Sequence, residues 1–232
     1  MQEEEELGRI TPTLLRRAET MCPRLLHHEY FSGRVLSSLG DSPFEVGARL
    51  TEDARTWHQG NVRAEHGFPE PTDLEPEQRA VYRVAADEYV RRFGGEDVEI
   101  HDLGWVTEFT ELGVRLSGQV GIAAVATDDR HEVRVLRLAT RDLLDDVDMK
   151  FTILRTADWA KSTLHVVAVD LLKGESAEYD VDVDAHLSDA REWLSERVDI
   201  IRARSNWQGP VAGSGCRNCK CVPGCKALTR SA

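Results

Sequence analysis

Long apolar runs are missing from this sequence: none approaches the ~20 residues a bilayer-spanning helix needs, so a membrane protein of that kind is not expected. The opening residues, MQEEEELGR, are acidic and have no apolar core, so a secretory signal is not expected and the cytoplasm is the default compartment. An excess of cations is missing too. With 29 Lys+Arg against 41 Asp+Glu the net charge is −12. That argues against indiscriminate nucleic-acid binding, which needs many cations to neutralise phosphates, but leaves room for a local basic groove. There is no Walker loop, GxGxxG or GxSxG, hence no phosphate cradle or hydrolase elbow of those types. The histidines are scattered without metal-ligand spacing and read as surface or structural residues.

Cysteine is scarce, and its distribution is uneven. There are five, an odd number, and four of them crowd into GCRNCKCVPGC at 215–225; the fifth is Cys22. This does not look like a disulfide framework, and CxxC-type spacing in a cytosolic chain reads first as metal binding.

The periodicity changes along the chain. In TPTLLRRAETMCPRLLHHEYF, Thr11 and Pro12 form a helix start, and the pattern predicts a break near Cys22–Pro23 before a second short helix. VGARLTEDARTWHQ reads as helix, and HGFPEPTDLEPEQ, rich in proline and acids, as an exposed loop. A helix over 75–94 follows, ended by Gly94–Gly95. VEIHDLGWVTEFTE, VRLSGQVGIAAVAT and EVRVLRLAT then read as a strand meander, with DDRHE at 128–132 as a hairpin turn. A helix over 141–162, a strand pair around KGES and a long helix over 187–207 complete the order. The expected class is α/β or α+β, with helices flanking a central mixed sheet. The expected organisation is an acidic tail (1–9) and one domain (10–228), divided into a helical part (10–94), a sheet core (95–186) and a C-terminal helix with the cysteines (187–228).

What the cysteines hold is open on spacing alone. Zinc needs four thiolate or imidazole ligands in a tetrahedron, and Cys216, Cys219, Cys221 and Cys225 would supply them locally, although the CxC pair at 219 and 221 converges poorly on one ion. An iron–sulfur cluster is larger and accommodates one distant ligand beside a local triplet.

The layout resembles the RecB-like branch of the PD-(D/E)XK nucleases that carries a 4Fe-4S cluster, the group of the CRISPR adaptation exonucleases and the AddB nuclease domain. The resemblance runs over roughly 10 to 228 and rests on the Cys22-Pro23-Arg24 turn and on C-x2-C-x5-C after QGPVAGSG. It implies a restriction-endonuclease-like sheet and a 4Fe-4S cluster held by Cys22, Cys216, Cys219 and Cys225, with Cys221 spare and zinc the alternative. The chain's two ends would then be joined at the cluster.

The same resemblance locates where phosphodiester hydrolysis would be done, by carboxylates holding Mg²⁺ and a lysine beside them. With Gly118-Gln119-Val120 in register, the metal-binding aspartate position falls on Gly121. Arg137 stands at the second carboxylate, Ala139 at the lysine and, counting from Gly47, Thr51 at the histidine; Thr140 is retained. All four chemical positions are lost inside a preserved apolar frame. Nearby Asp128, Asp129, Glu132, Asp142, Asp145, Asp146, Asp148 and Lys150 raise the alternative of a relocated site. Arg137 counts against it by repelling a divalent metal.

The resulting expectation is a catalytically inactive pseudonuclease with a structural cluster, serving DNA recognition or scaffolding in a DNA-processing or defence complex beside a protein partner such as a helicase or active nuclease. One alternative is an active Mg²⁺/Mn²⁺-dependent DNA exonuclease with relocated residues; another is an iron–sulfur or zinc redox or metal sensor.

Overall fold

The computed structural model describes residues 7–27, 30, 42–60, 67–138 and 142–205. The fold is α+β, with two mixed sheets and flanking helices, and the described chain divides into two compact units.

Unit 2 comprises residues 40–103 and 120–187. Its helices α3 (Ser42–Gln59) and α4 (Pro76–Phe93) precede the strands. Pro76 opens α4, the Gln78 side chain accepts from the Glu75 amide at 2.9 Å, and Gly94 closes the helix. The strands are β2 (Val98–His101), β5 (Ile122–Ala126), β6 (His131–Arg137), β7 (Thr163–Asp170) and β8 (Glu175–Asp182), in the order β2-β5-β6-β7-β8. Only β6 and β7 run parallel, joined by α5 (Asp146–Ala160); the other neighbours are antiparallel. A parallel pair requires such a crossover, and a helix supplies it.

The core of unit 2 is legible in the spacing. Val46, Leu50, Ala54 and Trp57 form one stripe of α3, and Tyr82, Ala85, Ala86, Tyr89 and Phe93 one stripe of α4. Both pack with Ile122, Val167 and Val169 of the sheet.

Unit 1 comprises residues 1–39, 104–119 and 188–232. It holds β1 (Gly8–Ile10), α1 (Pro12–Arg17), α2 (Pro23–His27), β3 (Val106–Phe109), a single 3-10 turn (Thr110–Leu112), β4 (Val114–Ser117) and α6 (Val183–Ser205) from Ser188 onward. β4 lies between β1, parallel to it, and β3, antiparallel. Thr11 caps α1 by accepting from the Leu14 amide at 3.2 Å.

Three boundaries differ from expectation. VRLSGQVGIAAVAT is not one strand: the chain turns through Gly118 and Gly121, both at positive φ, and separates β4 from β5, which belong to different sheets. The helix expected from 141 begins at Asp146, because Asp145 caps it by accepting from the Asp148 amide at 2.7 Å. The last helix begins earlier than 187, at Val183, where Asp182 accepts from the Ala185 amide at 3.0 Å.

Inside unit 2 a full charge is buried. Arg134 of β6 has no solvent exposure, and its guanidinium lies 4.2 Å from the Phe93 ring centroid. Nε donates to Glu132 at 2.6 Å, Nη1 donates to Tyr89 Oη at 3.3 Å and to His58 Nε2 at 3.2 Å, and Nη2 donates to Glu96. Tyr89 Oη in turn donates to His58 Nε2 at 2.9 Å. Burial raises the Tyr89 hydroxyl to about 12. Burial, helped by the Arg134 charge, lowers His58 to about 4.

Two outcomes follow from this network. Arg134→Met strips the buried Glu132 carboxylate of its near partner, leaving Arg130 at 3.8 Å, and should cost about 3–5 kcal/mol in urea denaturation, with Arg134→Met/Glu132→Gln recovering part of it. His58 has a folded value below that of an unfolded imidazole, so between them the unfolded chain takes up a proton that the folded chain refuses. The His58 contribution is therefore complete above pH 6.5 and drains away as the pH falls toward 4. Urea midpoints measured across that window should slope downward, and less so in His58→Gln.

Candidate functional site: the strand ends and the Cys22 turn

In unit 2 the face of α3 carrying Gly47, Thr51 and Arg55 runs along the strand ends. A methyl added at Gly47 would lie 3.8 Å from Leu138 Cδ1, just past β6. The Thr51 hydroxyl, 5% exposed, donates to the Gly47 carbonyl at 2.8 Å and is thereby spent inside its own helix. One turn on, Arg55 Nη2 donates to the Gly121 carbonyl at 2.7 Å, while its Nε is buried without a hydrogen-bond partner among the described residues. Of the four positions that the resemblance singles out, three are described: Thr51 on α3, Gly121 ahead of β5 and Arg137 at the end of β6. The fourth, Ala139, and Thr140 lie outside the described residues.

Gly121 is held as a glycine by its surroundings. Its φ is +127°, and a Cβ there would stand 2.3 Å from the Arg134 carbonyl oxygen. A side chain is refused by sterics and by backbone conformation alike.

Arg137 is committed. Its Nη2 pairs with Asp148, its Nε donates to the Leu143 carbonyl at 3.3 Å, and its own carbonyl accepts from the Leu171 amide at 3.0 Å. The guanidinium is therefore already neutralised by an acid of α5.

The acids of the relocation alternative are similarly engaged. Asp146 pairs with Lys150 at 3.0 Å, Asp145 caps α5, and Asp128 accepts from the Arg130 amide at 3.3 Å in the β5–β6 turn. Glu132, the last residue of the expected DDRHE turn, is instead the second residue of β6; it is 5% exposed and pairs on both sides, with Ala124 and His165. Among the described residues no three or more His, Cys, Asp or Glu side chains are grouped to hold a metal ion.

Two participants escaped the sequence reading. Arg55 sits four residues after Thr51, so the same helical face was the available signal. Asp170, in register with Arg137, has no solvent exposure; its Oδ1 accepts from the Leu172 and Lys173 amides at 3.0 and 3.1 Å, and its Oδ2 lies 3.7 Å from Lys173 Nζ. It holds the β7–β8 turn.

In unit 1 Cys22 stands half-buried between α1 and α2, with no disulfide partner among the described residues, and its carbonyl accepts from the Leu26 amide at 2.9 Å. The last turn of α6 is fastened to this region. Arg204 Nη2 donates to the Met21 carbonyl at 2.9 Å, and His27 Nδ1 donates to the Ser205 carbonyl at 3.2 Å. Arg202 donates to Tyr30 Oη at 3.2 Å and to the Leu112 carbonyl at 2.6 Å. Arg204 Nε is buried and has no hydrogen-bond partner among the described residues. Cys216, Cys219, Cys221 and Cys225 lie outside the described residues. Cys216 follows Ser205 by 11 positions, a stretch of chain that reaches at most ~40 Å.

Compared with the known protein families and with the curated proteins, the chain matches none.

The Gly121 geometry has a measurable consequence. Gly121→Ala and Gly121→Asp should each lose at least about 1–3 kcal/mol in denaturant titrations, since strand register and positive φ both oppose a side chain. Gly121→Asp should gain no Mg²⁺-dependent cleavage of DNA.

Proposed function

We propose that this chain is a pseudonuclease of the iron–sulfur branch of the RecB-like PD-(D/E)XK nucleases, without a hydrolytic centre, that acts as a DNA-recognition or scaffolding component of a DNA-processing complex. The observation that carries the reading is the fastening of the last turn of α6 to the Cys22 turn through Arg204–Met21 and His27–Ser205. It brings the point from which the cysteine-rich tail departs to the one cysteine near the start of the chain. The element order, with helices before a strand series, a crossover helix, a hairpin and a last helix, supports the same reading.

The residues present suit an iron–sulfur group. Cys22 has no disulfide partner among the described residues, and the Nε–H of Arg204, without an acceptor among them, is a donor to which sulfide or thiolate would give one. Cys22, Cys216, Cys219 and Cys225 would hold the cluster. When bound it would supply a cross-link closing nearly the whole chain into one loop, which lowers the entropy of the unfolded state.

The absence of hydrolysis is argued from the strand ends. Gly121 refuses a side chain, Thr51 bonds its own helix, and Arg137 is paired with Asp148. The charge distribution bears on partners. Unit 1 carries 14 Lys+Arg and 12 Asp+Glu, whereas unit 2 carries 15 and 29, which together make the 29 and 41 of the chain. The excess of acid thus belongs wholly to unit 2. Phosphate backbone would be repelled by unit 2 and tolerated by unit 1, so a protein such as a helicase or active nuclease is the better partner for the acidic unit.

Iron and acid-labile sulfide analysis of anaerobically purified protein tests the reading. Wild type should hold a full 4Fe-4S complement and Cys22→Ala should lose most of it. Zinc without iron, or full loading without Cys22, would overturn the ligand assignment. Mg²⁺- or Mn²⁺-dependent degradation of single-stranded DNA, abolished in Asp148→Asn or Lys150→Ala, would establish the relocated nuclease instead.

A further inference from the structure

We propose that the outer edge of β8 in unit 2 is a docking strand, which takes an extended basic segment of a protein partner as an added strand of the sheet. It rests on the reading of unit 2 as the unit that meets a protein partner, and on nothing in the cysteine-rich tail. The five-stranded sheet ends at β2 on one side and at β8 on the other. β2 has four residues with one exposed, whereas β8 has eight with six exposed, so β8 is the longer and more open edge. Among the described residues β8 pairs with β7 alone. The Val183 amide donates to the Ser162 carbonyl at 2.9 Å, in the same register as the β7–β8 ladder. The alternation of an antiparallel pair then turns the amides of Ala177, Tyr179 and Val181 toward β7 and those of Ser176, Glu178 and Asp180 outward.

An open edge offers donors and acceptors to any extended chain, and charge on it is commonly a guard against such pairing. The guard on β8 is selective. Glu175, Glu178, Asp180 and Asp182 all carry one sign, with no basic residue between them. No Lys or Arg among the described residues pairs with them. His165 lies 2.8 Å from Asp180 and 3.6 Å from Glu178, whose side chains stay 79% and 63% exposed. The cations near the hairpin turn are spent elsewhere: Lys173 lies 3.7 Å from Asp170, and Arg92 donates to the Gly174 carbonyl at 2.6 Å. A second copy of this strand would set acid against acid, and nucleic acid would set phosphate against acid. A strand with lysine or arginine at alternate positions meets carboxylates on one face and gives its main-chain groups to the outward amides and carbonyls. Tyr179, 38% exposed, projects on the opposite face and offers its ring to the intervening apolar residues.

The test titrates the full chain with a capped, fluorescent peptide of alternating lysine and valine, read by anisotropy at low salt, with amide exchange followed by NMR. Binding should slow exchange at Ser176, Glu178 and Asp180 far more than at Ala177 and Tyr179, which already face β7. Glu178→Gln/Asp180→Asn, which keeps an acceptor for His165, should weaken binding about 5-fold, the scale of two exposed ion pairs. Glu77→Gln/Asp87→Asn removes as much charge from exposed positions of α4 and should leave binding unchanged. N-methylating the peptide at its lysines or at its valines should abolish binding in one case only, since a single set of alternate amides faces β8. Equal binding of the two methylated peptides, or equal effects of the two double variants, would overturn strand addition while unit 2 remains the unit that attracts a basic partner. Protection of the same amides in the protein alone as its concentration rises would give the edge to a second copy, and their protection by single-stranded DNA would give it to nucleic acid; either overturns the proposal. A peptide that binds nowhere on the chain would remove the reading of unit 2 as well.

Discussion

A guanidinium without solvent exposure organises unit 2. Arg134 collects Glu132 from its own strand, Glu96 from the approach to β2, Tyr89 and Phe93 from α4 and His58 from α3. Every one of these elements must be in register for the charge to be tolerated, because its desolvation is offset only by the complete set of partners. The network therefore specifies how α3 and α4 lie on the sheet more sharply than apolar packing does. The backbone of the same residue shapes the strand ends: its carbonyl oxygen fills the space that a Cβ at Gly121 would need. One residue thus fixes both the core and the candidate site.

Much of this architecture could be read from the chain. Thr11 and Pro12 gave away the start of α1, Pro23 the break and restart, and Gly94 the end of α4. The β7–β8 hairpin followed from apolar and alternating runs on either side of a turn. The separation of β4 from β5 did not, since the apolar pattern of VRLSGQVGIAAVAT suits a strand in either sheet and only the positive-φ glycines redirect it. β1, three residues long and paired with a strand far along the chain, carries too little pattern to be recognised.

The contacts of the residues singled out in the sequence were not legible there. Thr51, Gly121 and Arg137 each take their local role from a partner that sequence does not specify. Arg137 and Asp148 are a mixed-charge pair eleven residues apart that reads as ordinary surface until the β6–α5 connection folds them together. Arg55 and Asp170 were passed over because charged residues are exposed by default, and their engagement arises only from tertiary contact. In unit 1 the sequence offered a distant cysteine and a tail; the arginines that draw α6 to the N-terminal segment offered no motif at all.

The glycine ahead of β5 has an implication for engineering the chain. A position at the rim of a sheet ordinarily accepts a new functional group by one substitution. At 121 the Arg134 carbonyl occupies the place of the first side-chain carbon, so a new side chain there demands a coordinated shift of two strands rather than a single exchange. The backbone works as a latch, and redesign of these strand ends has to start from the neighbouring positions.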